Sequence, residues 1–284
     1  MVGFVVLNYC AYRETIKCVK TIKKIIGEKK IIIVDNNSPN HSYDILKDKY
    51  QIDKDILILK NNKNEGFAIG NNLGYSYLKQ NYNCEFIIVM NNDMEIKDVN
   101  FIKKINKAYL DDNFYIMGPD IFSTKAKKHQ NPEKIINYSQ NELKKILLKL
   151  KIKKYFSFLY KIKKKFFHKE KNEHTSFKNK YDYKEKKYNV VLHGSCYIFS
   201  HLFIQKEDIC FYPKTFMYFE SYILHYLSIK KGYKMVYNPI VQVLHHEDAT
   251  TDLLYSKSFE KFKFLNNCLI DSCVTYLKLI KKGE

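Results

Sequence analysis

Residues 86–95 read FIIVMNNDME, and the fold turns on how that stretch is read. Phe86, Ile87, Ile88, Val89 and Met90 form an unbroken apolar run of strand length, rich in β-branched side chains. The run stops abruptly at Asn91, Asn92 and Asp93. A buried strand ending in two amides and a carboxylate delivers oxygen atoms to the carboxyl edge of a sheet, where open α/β sheets bind ligands. Asp93 is then a hard-oxygen ligand suited to Mg2+ or Mn2+ carrying a phosphorylated substrate. The same residues also suit an ordinary polar turn after a core strand, so the flanking chain has to decide.

Working outward, the first 120 residues alternate strand and helix. Residues 3–9 (GFVVLNY) read as a buried strand, and residues 12–26 carry Ile16, Val19, Ile22 and Ile26 at helical spacing among lysines, with Gly27 at the stop. Residues 30–34 are a second strand ending in DNNSP, and residues 41–50 suit a short helix. Residues 56–59 are a third strand followed by NNKNEGF, and residues 68–79 are helical. After the fourth strand, residues 98–110 read as helix and residues 115–117 as strand. This alternation predicts a parallel sheet with right-handed crossovers and helices on both faces. Asn8, Asp35, Asn64 and Asp93 are therefore expected near one cleft, unless each merely ends its strand in a turn. Gly66, Gly70 and Gly74 are spaced at a helix start; they fit either backbone approach to a phosphate or close helix–sheet packing.

The bulk properties narrow the class. A chain of 284 residues with 45% hydrophobic content fits one large α/β domain or two small ones. The seven cysteines form no CxxC pair, which fits reduced thiols in a cytosolic protein better than a disulfide frame or zinc site. The chain enters a strand at once, so no signal peptide is expected, and no apolar run approaches the roughly 20 residues of a spanning helix. Neither GxxxxGK[ST] nor GxGxxG occurs.

The net charge of +19 is concentrated. Between residues 143 and 171 stand Lys144, Lys145, Lys149, Lys151, Lys153, Lys154, Lys161, Lys163, Lys164, Lys165, Lys169 and Lys171, against the single acid Glu170. Leu148, Ile152, Tyr155, Leu159, Ile162 and Phe166 recur among them at helical spacing, with Phe156, Phe158, Tyr160 and Phe167 widening the stripe. Such a helix suits an anionic membrane surface. Plain packing on the domain is the alternative, and the many large apolar groups set nucleic acid aside. Residues 177–188 read as a flexible return loop.

Residues 189–200 (NVVLHGSCYIFS) return to a strand pattern. Phe216, Met217, Tyr218, Phe219 and Glu220 lead into a helix over 221–230, stopped by Gly232. Residues 234–237 and 240–244 read as two short strands joined at Asn238-Pro239, the second ending in His245, His246, Glu247 and Asp248; residues 252–282 are mostly helical.

VVLNY, IIIVDNNS, NKNEGFAIGNNLG and the strand ending NND, followed by NVVLHGSCYIF, the aromatic run before Glu220, GYKMVYNP and the histidine-bearing strand end, together resemble inverting family 2 glycosyltransferases of the GT-A fold. The flavour is that of the rhamnosyltransferase-like branch of bacterial surface polysaccharide synthesis. The resemblance covers residues 2–120 and 189–252. It implies a nucleotide-sugar-binding half (1–120), a basic amphipathic insertion (121–188), an acceptor and catalytic half (189–250) and a C-terminal helical segment (251–284). It implies donor contacts from Asn8, Asp35 (to the nucleobase), Asn36, Gly66, Phe67, Asn71, Asn91 and Asn92. Asp93 stands as the main carboxylate on Mn2+ or Mg2+, and His245 resembles the histidine that completes the metal site. A buried, satisfied histidine is the other reading of His245. Family members place the base in an acidic pair, which here reads Glu220-Ser221. Glu220 is thus the expected base, with helix capping or acceptor binding as alternatives and His246, Glu247 and Asp248 in reserve. The implied partners are a nucleoside-diphosphate sugar, a glycan or lipid-linked acceptor and an anionic membrane at the cytoplasmic leaflet. Ser221 favours the rival reading, a degenerate GT-A protein that binds without transfer.

Overall fold

The computed structural model describes residues 1–156, 182–247 and 258–283. Its first half follows the alternation read from the sequence: β1 (Val2–Asn8), α1 (Tyr12–Lys23), β2 (Lys29–Asp35), α2 (Ser42–Tyr50), β3 (Ile56–Lys60), α3 (Gly66–Asn81), β4 (Phe86–Asn91), β5 (Met94–Glu95) and α4 (Phe101–Asp112). Then come β6 (Ile116–Ser123), β7 (Lys128–His129), α5 (Gln140–Tyr155), β8 (Lys187–Tyr188), β9 (Cys196–Ser200), α6 (His201–Lys206), α7 (Glu220–Lys230), β10 (Met235–His245) and α8 (Ser258–Lys282).

One sheet carries all of these strands, in the order β3-β2-β1-β4-β9-β6-β10-β5, with β7 and β8 on its margins. The β3-β2-β1-β4 part is parallel. β9 then runs antiparallel between β4 and β6, while β6 and β10 are parallel. β1, β2 and β4 are buried on both faces, which accounts for their continuous apolar runs. One face packs Phe4, Val6, Ile88 and Met90 against α1 and α4. The other packs Val5, Val34 and Val89 against Tyr75 and Leu78 of α3.

Register explains how distant residues meet. Asn8 is opposite Asp35, and Leu7 is opposite Asn91, so the polar ends of β1, β2 and β4 share one edge. His245 pairs with Met94, which brings the end of β10 beside Asp93.

Two local expectations are corrected. The two short strands around Asn238-Pro239 are a single strand, β10, whose register shifts between Asn238 and Gln242. Proline lacks the N–H a ladder requires, and the bulge absorbs it. The strand expected at residues 115–117 begins at Ile116 and runs on to Ser123 as the eight-residue β6.

The basic segment is described only to Phe156. α5 starts at a capping box: Ser139 accepts from the Glu142 N–H, and Glu142 reaches back to the Ser139 N–H. It has two apolar faces. Leu143, Ile146 and Leu147 pack in the cluster with Cys273, Tyr276 and Leu277 of α8. Leu148, Ile152 and Tyr155 are exposed, on the opposite side at 100° per residue. Leu159, Ile162 and Phe166, like Phe158, Tyr160, Phe167, the lysines from Lys161 to Lys171 and Asp248, lie outside the described residues. Among the described residues no helix is long and apolar enough to cross a membrane. All seven cysteines are free.

Candidate active site

At the end of β2 the buried Asp35 carboxylate accepts from Asn8 Nδ2 at 2.6 Å, from the Ser38 N–H at 2.8 Å and from Ser38 Oγ at 2.7 Å. Asn8 Oδ1 accepts from Thr15 Oγ1 at 2.8 Å, and Asn92 Nδ2 donates to that hydroxyl at 3.0 Å. One chain of hydrogen bonds therefore runs from Asp35 through Asn8 and Thr15 to Asn92, across the ends of three strands. Asn36 does the same on the other side. It donates to Asn64 Oδ1 at 2.8 Å and the Gly66 carbonyl at 3.1 Å, and accepts from Asn61 and from the Glu65 N–H.

Gly66 opens α3 with φ +78°, and a Cβ built there would lie 2.2 Å from the Phe216 carbonyl oxygen. Only glycine fits that approach. The Phe67 N–H donates to the same carbonyl at 2.7 Å. A loop from the second half is thus seated on the N-terminus of α3. Gly70 and Gly74 answer to packing: a Cβ on either would strike Leu7 or Val5 of β1. Asn71 Nδ2 donates to the Phe67 carbonyl at 2.9 Å, while its buried Oδ1 has no partner among the described residues.

Asp93 and His245 meet. The His246 N–H donates to the Asp93 carbonyl at 3.0 Å, and His245 Nε2 lies 3.3 Å from Asp93 Oδ1. Among the described residues the buried Oδ1 has no hydrogen-bond partner, and the contact is an ion pair only when the ring is protonated. The reason lies one residue further out. Gln130 donates through Nε2 to Glu247 Oε1, so its own Oε1 faces His245 Nδ1, 2.7 Å away. In the neutral ring that bond places the proton on Nδ1 and turns the Nε2 lone pair toward the carboxylate, whereas in the imidazolium the same contact is an ion pair. Two acceptors at this distance call for a cation between them, which is what a divalent metal site supplies. Among the described residues no three His, Cys, Asp or Glu side chains converge on one point. Asp93 and His245 are thus two candidate ligands at the carboxyl edge of the sheet. His193 stands beside it, its ring 6.0 Å from that of His245. Burial and the neighbouring His245 push its titration down to about 3, so it stays neutral. Asn91 enters through its backbone, the N–H donating to the Ser195 carbonyl at 2.9 Å.

Glu220 is the first residue of α7. Tyr218 and Phe219 before it have φ of +74° and +65°, a conformation that aromatic residues adopt only under tertiary constraint. The constraint is visible: Phe219 is packed in the cluster beneath α8, and Ser272 of α8 donates to the Met217 carbonyl at 2.8 Å. Glu220 is 8% exposed and its Oε1 has no partner among the described residues. Burial first, and the charge of Glu133 further down, push its carboxyl up to about 8. The hydroxyl of Ser221 sits 3.2 Å from where a Cβ on Gly194 would be, so the 193–195 turn links the Asp93–His245 pair to the start of α7. Of the reserve residues, His246 is occupied by Glu95 at 2.9 Å and Thr124 at 3.2 Å. Glu247 is taken by Gln130.

The glycosyl transferase family 2 model matches residues 4–169 of this sequence, more than half of it. The chain belongs to glycosyl transferase family 2. The family match covers the strand ends at Asn8, Asp35, Asn36 and Asp93, whereas Glu220 and His245 lie beyond it. Among curated proteins the chain is 28% identical over 121 residues to a low-salt glycan biosynthesis hexosyltransferase, Agl10, of Haloferax volcanii. That alignment spans 43% of this chain and only 36% of the relative. Among solved structures, the TarS 1-349 complex with UDP from S. aureus superposes with a TM-score of 0.54 at 9% identity, over 96% of this chain and 70% of that one. The mannosyltransferase PcManGT from Pyrobaculum calidifontis, in complex with GDP-Man and Mn2+, gives 0.53 at 10% identity over 98% and 70%. At such identities the likeness establishes the GT-A fold. The sequence pointed to the Asp93–His245 meeting and to the strand-end amides; it gave no sign of Gln130, His193 or Thr15, whose roles arise only from tertiary placement.

Proposed function

We propose that this chain is an inverting glycosyltransferase that moves a hexosyl or deoxyhexosyl group from a nucleoside-diphosphate sugar to a hydroxyl of a glycan or lipid-linked acceptor. The observation that carries the proposal is the approach of His245 Nε2 to Asp93 Oδ1, 3.3 Å apart at the carboxyl edge of the sheet. Asp93 and His245 hold Mn2+ or Mg2+, which when bound offsets the charge of the diphosphate leaving group. Asn8, Asp35 and Asn36 shape the nucleobase end of the pocket. Gly66, Phe67 and Asn71 line it from α3, and Asn91 and Asn92 fix the turn that presents Asp93. Glu220 takes the proton of the acceptor hydroxyl, as a carboxylate in a water-poor setting is well matched to do. The exposed Leu148, Ile152 and Tyr155, flanked by lysines, hold the protein at the anionic cytoplasmic leaflet in surface polysaccharide synthesis.

The decisive experiment is a thermal-shift screen with UDP, GDP, UDP-GlcNAc and GDP-mannose, each with and without Mn2+ or Mg2+, followed by assay of nucleoside diphosphate release. Stabilisation that requires both nucleotide and metal, with slow donor hydrolysis, is expected. No stabilisation by any combination rejects the reading. A second reading, nucleotide-sugar binding without transfer, is favoured by Ser221 in place of a second acid; stabilisation with no nucleoside diphosphate release would select it.

A further inference from the structure

Residue 221 is a serine where a second acid is expected, yet a second carboxylate does reach that point of the fold. It belongs to Glu133, on the segment between β7 and α5, whose N–H is held by the Val191 carbonyl at 2.9 Å. Tyr222 of α7 donates its hydroxyl to Glu133 Oε1 at 2.8 Å. The Ser221 hydroxyl also lies beside this carboxylate. Glu133 is open to solvent, although the protein packed around its carboxyl raises its affinity for a proton. The side chain thus has access from outside and a fixed seat within. Glu220, near enough to feel the charge of Glu133, is buried, and its Oε1 lacks any partner among the described residues. An unpartnered buried carboxylate oxygen costs free energy and calls for a donor from a ligand. The rest of the wall is aromatic: Tyr138 and Tyr222 lie with ring centres 4.7 Å apart, and Lys134 Nζ sits 3.5 Å over Tyr138.

We propose that Glu133 and Glu220, brought together at the start of α7 from separate segments, form a two-carboxylate acceptor site for a neutral sugar presenting two adjacent hydroxyls. This rests on the sugar-transfer reading and adds to it a contact residue and a substrate class. Glu220 faces the reacting hydroxyl and Glu133 accepts a hydrogen bond from its neighbour. In the transfer the acceptor O–H bond breaks and its proton passes to a Glu220 carboxylate oxygen. The acceptor oxygen bonds to the anomeric carbon as the bond from that carbon to the phosphate oxygen breaks, its electron pair leaving with the nucleoside diphosphate. Once Glu220 is ionised, two carboxylates at one site also repel an acceptor sugar bearing a carboxylate or phosphate at those positions. The groups facing Glu220 are Thr215 and Tyr218 from the loop before α7, Tyr197 of β9, Cys268 of α8 and Glu133, of which Glu133 alone is a second acid.

The test is E133Q in the full chain, which keeps the size of the side chain and an acceptor for Tyr222 while removing the charge. Transfer is measured from the nucleotide sugars of the screen above to neutral methyl hexopyranosides and to the corresponding methyl hexuronides. In parallel, the Glu220 carboxyl is titrated by NMR of carbon-13-labelled glutamate. Expected are unchanged nucleotide affinity, a loss of at least about tenfold in kcat/KM for the neutral acceptor, a narrower preference for neutral over anionic acceptor, and a Glu220 titration moved to lower pH. An unchanged kcat/KM, an unchanged preference or an unmoved titration overturns the proposal, as does equal loss of nucleotide affinity, which would make Glu133 structural. If the wild-type chain binds no nucleotide sugar, the sugar-transfer reading has failed by itself. The titration then still decides whether the two carboxyls share one site.

Discussion

Asp93 shows how a single oxygen reports a site. Its Oδ1 is buried, without a hydrogen-bond partner among the described residues and 3.3 Å from His245 Nε2, a repulsive arrangement when the ring is neutral and no cation is bound. Asp93→Asn should therefore leave the unliganded fold at least as stable as the wild type. It should abolish the metal-dependent part of nucleotide stabilisation, which at a ligand excess of about 100 Kd is worth about 2.7 kcal/mol; paired thermal-shift measurements with UDP or GDP and Mn2+ check this. Glu220 carries the pH dependence. Its carboxyl titrates at about 8 in the fold against an ordinary 4.5, so between those values the folded chain holds a proton the unfolded chain has lost. The stability contributed by the neutral form is complete below about 4.5 and is lost as pH rises through about 8. Glu220→Gln, which cannot ionise, should match the wild type near pH 5 and melt at least about 2 °C higher above pH 8. Its turnover should be severely reduced throughout, whereas wild-type turnover rises with pH toward a limb near 8. Asp93 and Glu220 were legible in the sequence because each follows a recognisable apolar or aromatic run. Gln130, His193 and Glu133 were not, because a residue that acts by orienting or facing another has no local pattern of its own.

At the scale of elements, glycine spacing at the start of α3 left two readings open, and the structure divides them. Gly70 and Gly74 let the helix approach β1, while Gly66 admits the Phe216 carbonyl. Gly66→Ala meets both a positive φ and a backbone oxygen that cannot yield. A loss of more than about 2 kcal/mol in urea unfolding is expected, together with a raised KM for donor. β10 shows the limit of local reading: Asn238-Pro239 looks like a strand break, and only the parallel pairing with β6 on both sides of the bulge makes it one strand. Positive φ at Tyr218 and Phe219 was equally hidden, since it is imposed by α5 and α8 packing on the aromatic rings.

For the whole molecule, the strand–helix alternation of the first half gave the parallel part of the sheet. The antiparallel β9 escaped it, because direction is set by how the chain returns after the basic segment and not by the run's composition. α5 was read as having one stripe and has two faces, one against α8 and one bearing Leu148, Ile152 and Tyr155 in solvent. Replacing these three by serine should leave the melting temperature within about 2 °C, since exposed positions contribute little to stability. It should weaken co-sedimentation with anionic vesicles by at least about tenfold, each buried aliphatic or aromatic group being worth about 1.5–3 kcal/mol. Unchanged sedimentation would leave the leaflet reading without support.

The Phe216 carbonyl, wedged against Gly66 and bonded to the Phe67 N–H, makes two distant stretches of the gene interdependent. A graft that swaps residues 212–219 for a relative's loop, in pursuit of new acceptors, would have to bring a matching turn at 64–67 with it. Where the substitution is one-sided, the misfit lands on the opening turn of α3, and the transplanted specificity arrives in a chain with a damaged donor pocket.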